Sequence, residues 1–230
     1  MCSSDLIFSN DVHPPAGTLN FTNIFVVDSR FEYNRRHGAS ADSIQNVEFV
    51  RTTFSHNGLP SAVGDRIPTE GESAYLVDGM LYGAGLVLEN YNPALGVNGL
   101  KIVACTAAGN ARFGIQFWDS SSPASSGFIP RSHIRIEGCT LDGGVSPTHG
   151  RQALEFNIPA YYLGQGYAYE DIALVNNTVQ GTIIVNSSSG VRITGGTVVS
   201  PYPGFYGIST ASRDVVVQGV DAGGKIFVQQ

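Results

Sequence analysis

Short runs of alternating apolar and polar residues recur along this chain, each bending at a Gly, Asn or Asp and then resuming. "HIRIEGCTLDGG" at 133 is one such run. "NIFVVDSRFEYN" at 23, "NVEFVRTTFSHN" at 46, "GLKIVACTAAGN" at 99, "DIALVNNTVQGT" at 171, "GVRITGGTVVSP" at 190 and "DVVVQGVDAGGK" at 214 are the others, seven in all. Aligned on the first apolar residue, they begin at Ile24, Val47, Leu100, Ile134, Ile172, Val191 and Val215, with Val26, Phe49, Ile102, Ile136, Leu174, Ile193 and Val217 two places on. A period of two puts both columns on one strand face. The fifth place after the first holds mostly small residues: Ser29, Thr52, Cys105, Cys139, Asn177, Gly196 and Val220. The seventh holds Phe31, Phe54, Ala107, Leu141, Val179, Val198 and Ala222. The template predicts a strand that turns a corner and continues facing inward.

A further strand follows most copies, at "GLVLEN" (85), "GIQFWD" (114), "ALEFNI" (153), "TIIVNS" (182), "YGISTA" (206) and "KIFVQQ" (225). No stretch has helical periodicity with caps, so crossover helices for a βαβ sheet are missing. Copies recur at uneven intervals of 19 to 53 residues, as expected where loops of variable length join constant strands. One copy cannot bury its apolar face alone, whereas stacked copies form a continuous core. The expectation is an all-β chain, a β-solenoid of about seven coils with parallel strands.

Composition adds limits. The 230 residues fit one domain or one piece of a longer array. The formal net charge is −6 with no Lys/Arg cluster, so no nucleic-acid partner is expected. No apolar run is long enough to span a membrane as a helix. The three cysteines have neither CxxC spacing nor a paired framework. Cys105 and Cys139 fall in the small-residue column, where parallel side-chain vectors predict buried free thiols instead of a disulfide. "MCSSDL" is what GTG TGC TCT TCC GAT CTN encodes when GTG starts translation, a string that resembles the end of a sequencing adapter. Residues 1–6 are therefore expected to be an artefact, a genuine N-terminus being the alternative, and 7–230 are expected to be one β-helix fragment, incomplete at both ends.

Phrases such as "NVEFVRTTFSHN" and "HIRIEGCTLDGG" resemble the parallel β-helix repeats of the pectin-lyase-like superfamily, over nearly all of 23–230. The resemblance implies a right-handed parallel β-helix that meets polysaccharide outside the cell or on a cell or virion surface. It includes lyases, glycoside hydrolases, tailspikes, epimerases and non-catalytic adhesins, and fold alone does not choose among them. The NTD, DD and RIK set of polygalacturonases is absent here. So are the vWIDH and RxPxxR patterns of pectate lyases. Two classes of function stay open: a module that binds or degrades polysaccharide, and a non-catalytic stalk, adhesin or tailspike segment. In a homotrimer, outward Phe25, Val27, Val103, Val175 and Val216 would be covered by neighbouring chains.

On a solenoid, chemistry sits on outward strand positions and on long loops. Three successive copies have long excursions after the further strand, from 89, 118 and 157, rich in aromatics. Tyr91, Trp118, Tyr161 and Tyr162 are the expected sugar-stacking rings, with packing of the loops onto the coil as the alternative. Glu89, Asp119 and Glu155 are the candidate catalytic carboxyls. Adjacent rungs would set them roughly 5 to 10 Å apart, the range glycoside hydrolysis uses. Gln116 is the expected neighbour of Glu155 one copy below. Lyase chemistry would need cations facing a uronate, and Lys101 and Arg135 stack in one outward column. A charge-balanced sheet face is the other reading of that pair. The insertion at 58–84 holds Asp65, Glu70, Glu72 and Asp78. It lacks DxDxDG spacing, so a solvated acidic loop is expected there over a Ca²⁺ site, and no cofactor or metal is expected elsewhere.

Overall fold

Three strands and three corners make one turn of the coil. This is seen in a computed structural model that describes residues 6–8, 21–34, 37–41, 44–58, 76–77, 80–81, 83–90, 96–119, 121–144, 152–158, 162, 165–199, 206–223 and 225–229. The first face is built from Phe21–Val27, Ile44–Val50, Asn98–Val103, Arg131–Glu137 and Tyr169–Val175, then the later halves of Thr182–Thr194 and Tyr206–Gln218. The middle face stacks seven short strands, from Arg30–Glu32 to Asp221–Ala222. The last face holds Leu6–Phe8, Ala39–Ala41, Ala84–Asn90, Phe113–Asp119 and Gln152–Asn157, the earlier halves of the two long strands, and Lys225–Gln229. Every pairing between coils is parallel. One small antiparallel pair, Leu76–Val77 with Met80–Leu81, lies in the 58–84 insertion, most of which falls outside the described residues. The chain is a parallel β-helix with seven coils from Phe21 to Gln229, and no α-helix occurs among the described residues.

The register matches the template. Val47, Leu100, Ile134, Ile172, Val191 and Val215 are paired in order, as are Phe49, Ile102, Ile136, Leu174, Ile193 and Val217. Leu100, Ile102, Ile134 and Ile136 are at most 1% exposed, and the inward columns merge into one core. At about 25 cal/mol per Å² of apolar surface, such stacking is the main stabilising term.

Each first corner has the same backbone device. Asp28, Arg51, Ala104, Gly138, Asn176, Gly195 and Gly219 all have positive φ, between 48° and 64°. This left-handed residue reverses the strand, and the next residue points inward. At Gly138 and Gly195 the conformation is free, while Asp28, Arg51 and Ala104 hold it at a cost that the packing offsets. The inward residues then form a ladder along the axis. The backbone N–H of Thr52 donates to Cys105 Sγ at 3.4 Å, that of Cys105 to Cys139 Sγ at 3.4 Å, and that of Cys139 to Asn177 Oδ1 at 2.9 Å. The thiols are free and buried, as the column predicts, and each serves its neighbour as an acceptor. The side-chain hydrogen bond with Cys105, and burial after it, push the Cys139 thiol far above its ordinary value, so it stays protonated.

An asparagine ladder closes the second corner. The Asn34 and Asn57 backbone N–H groups donate to Asn57 Oδ1 and Asn110 Oδ1 at 3.0 and 3.1 Å. Asn110 Nδ2 donates to the Phe54 carbonyl at 2.9 Å. Asn57 and Asn110 are fully buried, so every bond here satisfies a group that would otherwise cost 1 to 3 kcal/mol.

The third corner varies, and this controls where the loops stand. In coils two to four it is open, giving excursions between Asn90 and Asn98, Asp119 and Arg131, and Asn157 and Tyr169, whereas in the first coil only residues 42 and 43 separate Ala41 from Ile44. In the upper coils "NSSSG" and "TASRD", though loop-like in composition, are not loops. Thr182–Thr194 and Tyr206–Gln218 run through the bend as single strands of 13 residues, the first turning at Ser187 with φ 51°. The Ser188 N–H donates to Ser212 Oγ at 3.2 Å, a ladder that lets small residues carry the corner.

Replacing Ile136, which is fully buried, by Asp is expected to unfold the chain, because an unpaired charge would enter the central stack. Arg135→Ala, one residue away with a side chain 44% exposed, should shift the melting point little. Equal shifts in thermal denaturation would mean that inward and outward positions are exchanged.

Candidate functional site

On the last face, two outward columns run through coils two to four. Val87, Gln116 and Glu155 are paired in order, and so are Glu89, Trp118 and Asn157. The structure therefore brings Glu155 beside Gln116 and sets Trp118 between Glu89 and Asn157. Tyr162 packs against the core, partly buried. Tyr91 and Tyr161 lie outside the described residues. Lys101 and Arg135 are neighbours on the first face, one rung apart, so they stand on a different face from the carboxyls. Arg135 Nε donates to Glu137 Oε2 at 2.7 Å, and this partner holds the guanidinium even higher than usual.

The carboxyls differ in environment. Glu155 is 5% exposed although it points outward from its strand. Gln116 Nε2 donates to its Oε2 at 2.7 Å and Asn157 Nδ2 to its Oε1 at 3.2 Å. Burial pushes its pKa up, and these two amides and the charge of Arg112 pull it partly back. Glu89 is half-buried.

Asp119 has inward parity, at the end of the strand where the third-coil loop departs. It is 1% exposed and forms an ion pair with Arg131, Oδ2 to Nε at 2.7 Å, with Arg131 also 1% exposed. The Ser121 N–H donates to its Oδ1 at 2.8 Å, which starts the loop. Burial pushes the Asp119 carboxyl up, and Arg131 is the first influence opposing it. Arg131 Nη1 also donates to the Ile129 carbonyl, and its guanidinium lies 4.9 Å from the Phe128 ring centroid. Gly96 leaves room for it, because a Cβ there would stand 2.6 Å from Arg131 Cδ. Below the pair, Phe117 and Phe156 stack at 4.2 Å, and Tyr169 meets both edge-on while its hydroxyl donates to the Asn157 carbonyl at 2.9 Å. Asp119 thus pins the two ends of its loop together. Its side chain is buried in that pair.

Sequence reasoning did not identify Arg131, Asn157 or Arg112 as members of this region. Arg131 had a signal: it is a cation three residues before the first inward apolar of its copy, at the end of a loop that begins with Asp119. Among the described residues, no group of three or more His, Cys, Asp or Glu is placed to hold a metal. No family model matches the chain, and neither does any curated protein or any solved structure.

Two outcomes test this geometry. Arg131→Met should cost about 3 to 5 kcal/mol in urea denaturation, because it leaves Asp119 buried and unpaired, and adding Asp119→Leu should restore most of the loss. For Glu155, the folded chain holds the carboxyl proton more tightly than the unfolded chain does. Stability from this group is therefore complete below the ordinary glutamate pKa and declines as pH rises through the raised one. Glu155→Gln should raise the melting point at neutral pH relative to the parent, and the gain should vanish near pH 4.

Proposed function

We propose that the chain is a polysaccharide-binding β-helix module of the pectin-lyase-like kind, working outside the cell or on a cell or virion surface. The observation that supports this most is the column of Glu89, Trp118 and Asn157 in register on the last face, beside the loops of coils two to four. Trp118 is half-buried, and the exposed part of its indole offers a flat apolar face to the C–H side of a sugar ring, with carboxyl and amide groups one rung away to suit its hydroxyls. Successive rungs about 4.8 Å apart match a ligand that is itself a repeat. Ser122 Oγ donates to Gln165 Oε1 at 2.5 Å, which ties the loops of coils three and four into one wall.

A specific observation favours cleavage as well as binding. A general acid needs a carboxyl pKa raised above the ordinary value, and burial shifts Glu155 in that direction. Glu89 is two rungs below, about 10 Å along the axis. Glu89 is also two residues further along its strand, so the two carboxyls must lean toward each other to reach the roughly 6.5 to 9.5 Å that leaves room for a water, the inverting arrangement. In this reading Glu155 protonates the glycosidic oxygen and Glu89 activates the water, while Asp119 holds the loop.

A panel of neutral and acidic glycans tests both readings. Trp118→Ala should weaken binding about five-fold or more. Glu155→Gln should abolish any cleavage and spare binding. Undiminished cleavage by that variant removes Glu155 from the chemistry, and a chain that binds no glycan is a stalk.

A further inference from the structure

The first face of the lower coils has a shallow depression lined by Phe25, Asn46, Val47, Glu48, Gly99 and Lys101. Phe25, Glu48 and Lys101 stand in one outward column on three successive rungs. Phe25 is 67% exposed, more than any other large apolar residue described. Beside them runs the column of left-handed residues that precedes each first inward apolar: Asn23, Asn46, Gly99 and His133 in the first four coils. Gly99 opens the depression. A Cβ at that position would stand 2.7 Å from Asn46 Oδ1, and the rungs above and below carry His133 and Asn46 where Gly99 carries nothing.

The charges distinguish this place from the rest of the face. Arg51 is paired with Asp28 and Arg135 with Glu137, each at 2.7 Å. Glu48 and Lys101 are adjacent in register and enter no ion pair among the described residues. A carboxylate accepts hydroxyl protons and an ammonium donates to hydroxyl oxygens. Set one rung apart, about 4.8 Å, they match neighbouring hydroxyls of one ring. Phe25 offers the apolar surface for the C–H face of that ring, and Asn46 adds an amide. The two charges cancel over the depression, and Glu48 repels an anion brought to Lys101.

We propose that this depression binds one uncharged pyranose of a glycan, with Phe25 as the stacking platform and Glu48 and Lys101 as the hydroxyl partners. This rests on the reading of the chain as a polysaccharide-binding module, and it assigns a second contact on a face different from that of Trp118. It also gives Lys101 a role other than pairing a uronate carboxylate.

The test is titration calorimetry of the full chain with neutral tetrasaccharides (cello-, xylo- and galacto-series) and with tetragalacturonate. Parallel titrations use Phe25→Ala, Glu48→Gln and Trp118→Ala. Phe25 and Glu48 lie outside the core, so melting curves should match the parent. The proposal expects a neutral tetrasaccharide to bind, and Phe25→Ala and Glu48→Gln each to weaken it about five-fold. Affinity should change little between low and moderate salt. Binding lost in Trp118→Ala but unchanged in the other two overturns the first-face site and leaves the module reading standing. Binding confined to tetragalacturonate, and weakened by salt, overturns the neutral ligand. Sedimentation showing a trimer that Phe25→Ala dissociates assigns the ring to a chain interface and also overturns the proposal. Absence of binding to every glycan removes the site and the module reading together.

Discussion

Everything in this molecule depends on one residue per coil adopting a left-handed backbone, so that the next residue turns inward and meets its counterpart one rung away. Were the corner to slip by one position, both strand faces would invert and the inward columns would enter solvent. Seven corners holding φ between 48° and 64° with side chains as different as Asp, Arg, Ala, Asn and Gly show that geometry, not residue type, is the constraint. The inward place is similarly tolerant. Cys105, Cys139 and Asn177 serve one ladder because each is small and accepts from the backbone N–H of the coil below. Buried donors find partners along the axis, and apolar columns can stack without interruption.

The coil was legible in the sequence because its two signals repeat. Alternation fixed the inward columns, and Asn, Asp and Gly marked the bends. The short middle strand was visible only as a continuation of the first, since two or three residues carry no period of their own. The merging of last and first strands in the upper coils escaped for a related reason. "NSSSG" has the composition of a loop, but its serines satisfy the bend from inside, through Ser188 and Ser212. Such a use depends on the neighbouring coil, which a single segment does not display.

The candidate site was legible in part. The stacking of Glu155 on Gln116 followed from register alone. Their burial did not, because alternation says which way a side chain points and nothing about what lies over it. Asp119 shows the complementary limit. Its partner Arg131 is 12 residues away across an irregular loop, where no periodicity connects them. An Arg with 1% exposure is rare enough that only a fitted space, here the one left by Gly96, accommodates it.

The distribution of charge separates scaffold from site. Arg51 with Asp28 and Arg135 with Glu137 are solvated pairs, and pairs of that kind contribute between zero and about 1 kcal/mol. They keep the first face soluble at little energetic consequence. In coils three and four the chain instead buries an ion pair and, beside it, a carboxyl held by two amides. Apolar residues of similar volume would fill this space at lower cost. The same coils carry the long third-corner loops, whereas the upper coils close that corner with serines and continue the strand. The core gains nothing from either feature, since Val191, Ile193 and Val198 are as well buried above as their counterparts are below. Ordering long loops around buried charge is a cost confined to one stretch of an otherwise uniform coil. In the function proposed above, binding is the reason to keep such a cost, and the proposal puts the working surface on these coils.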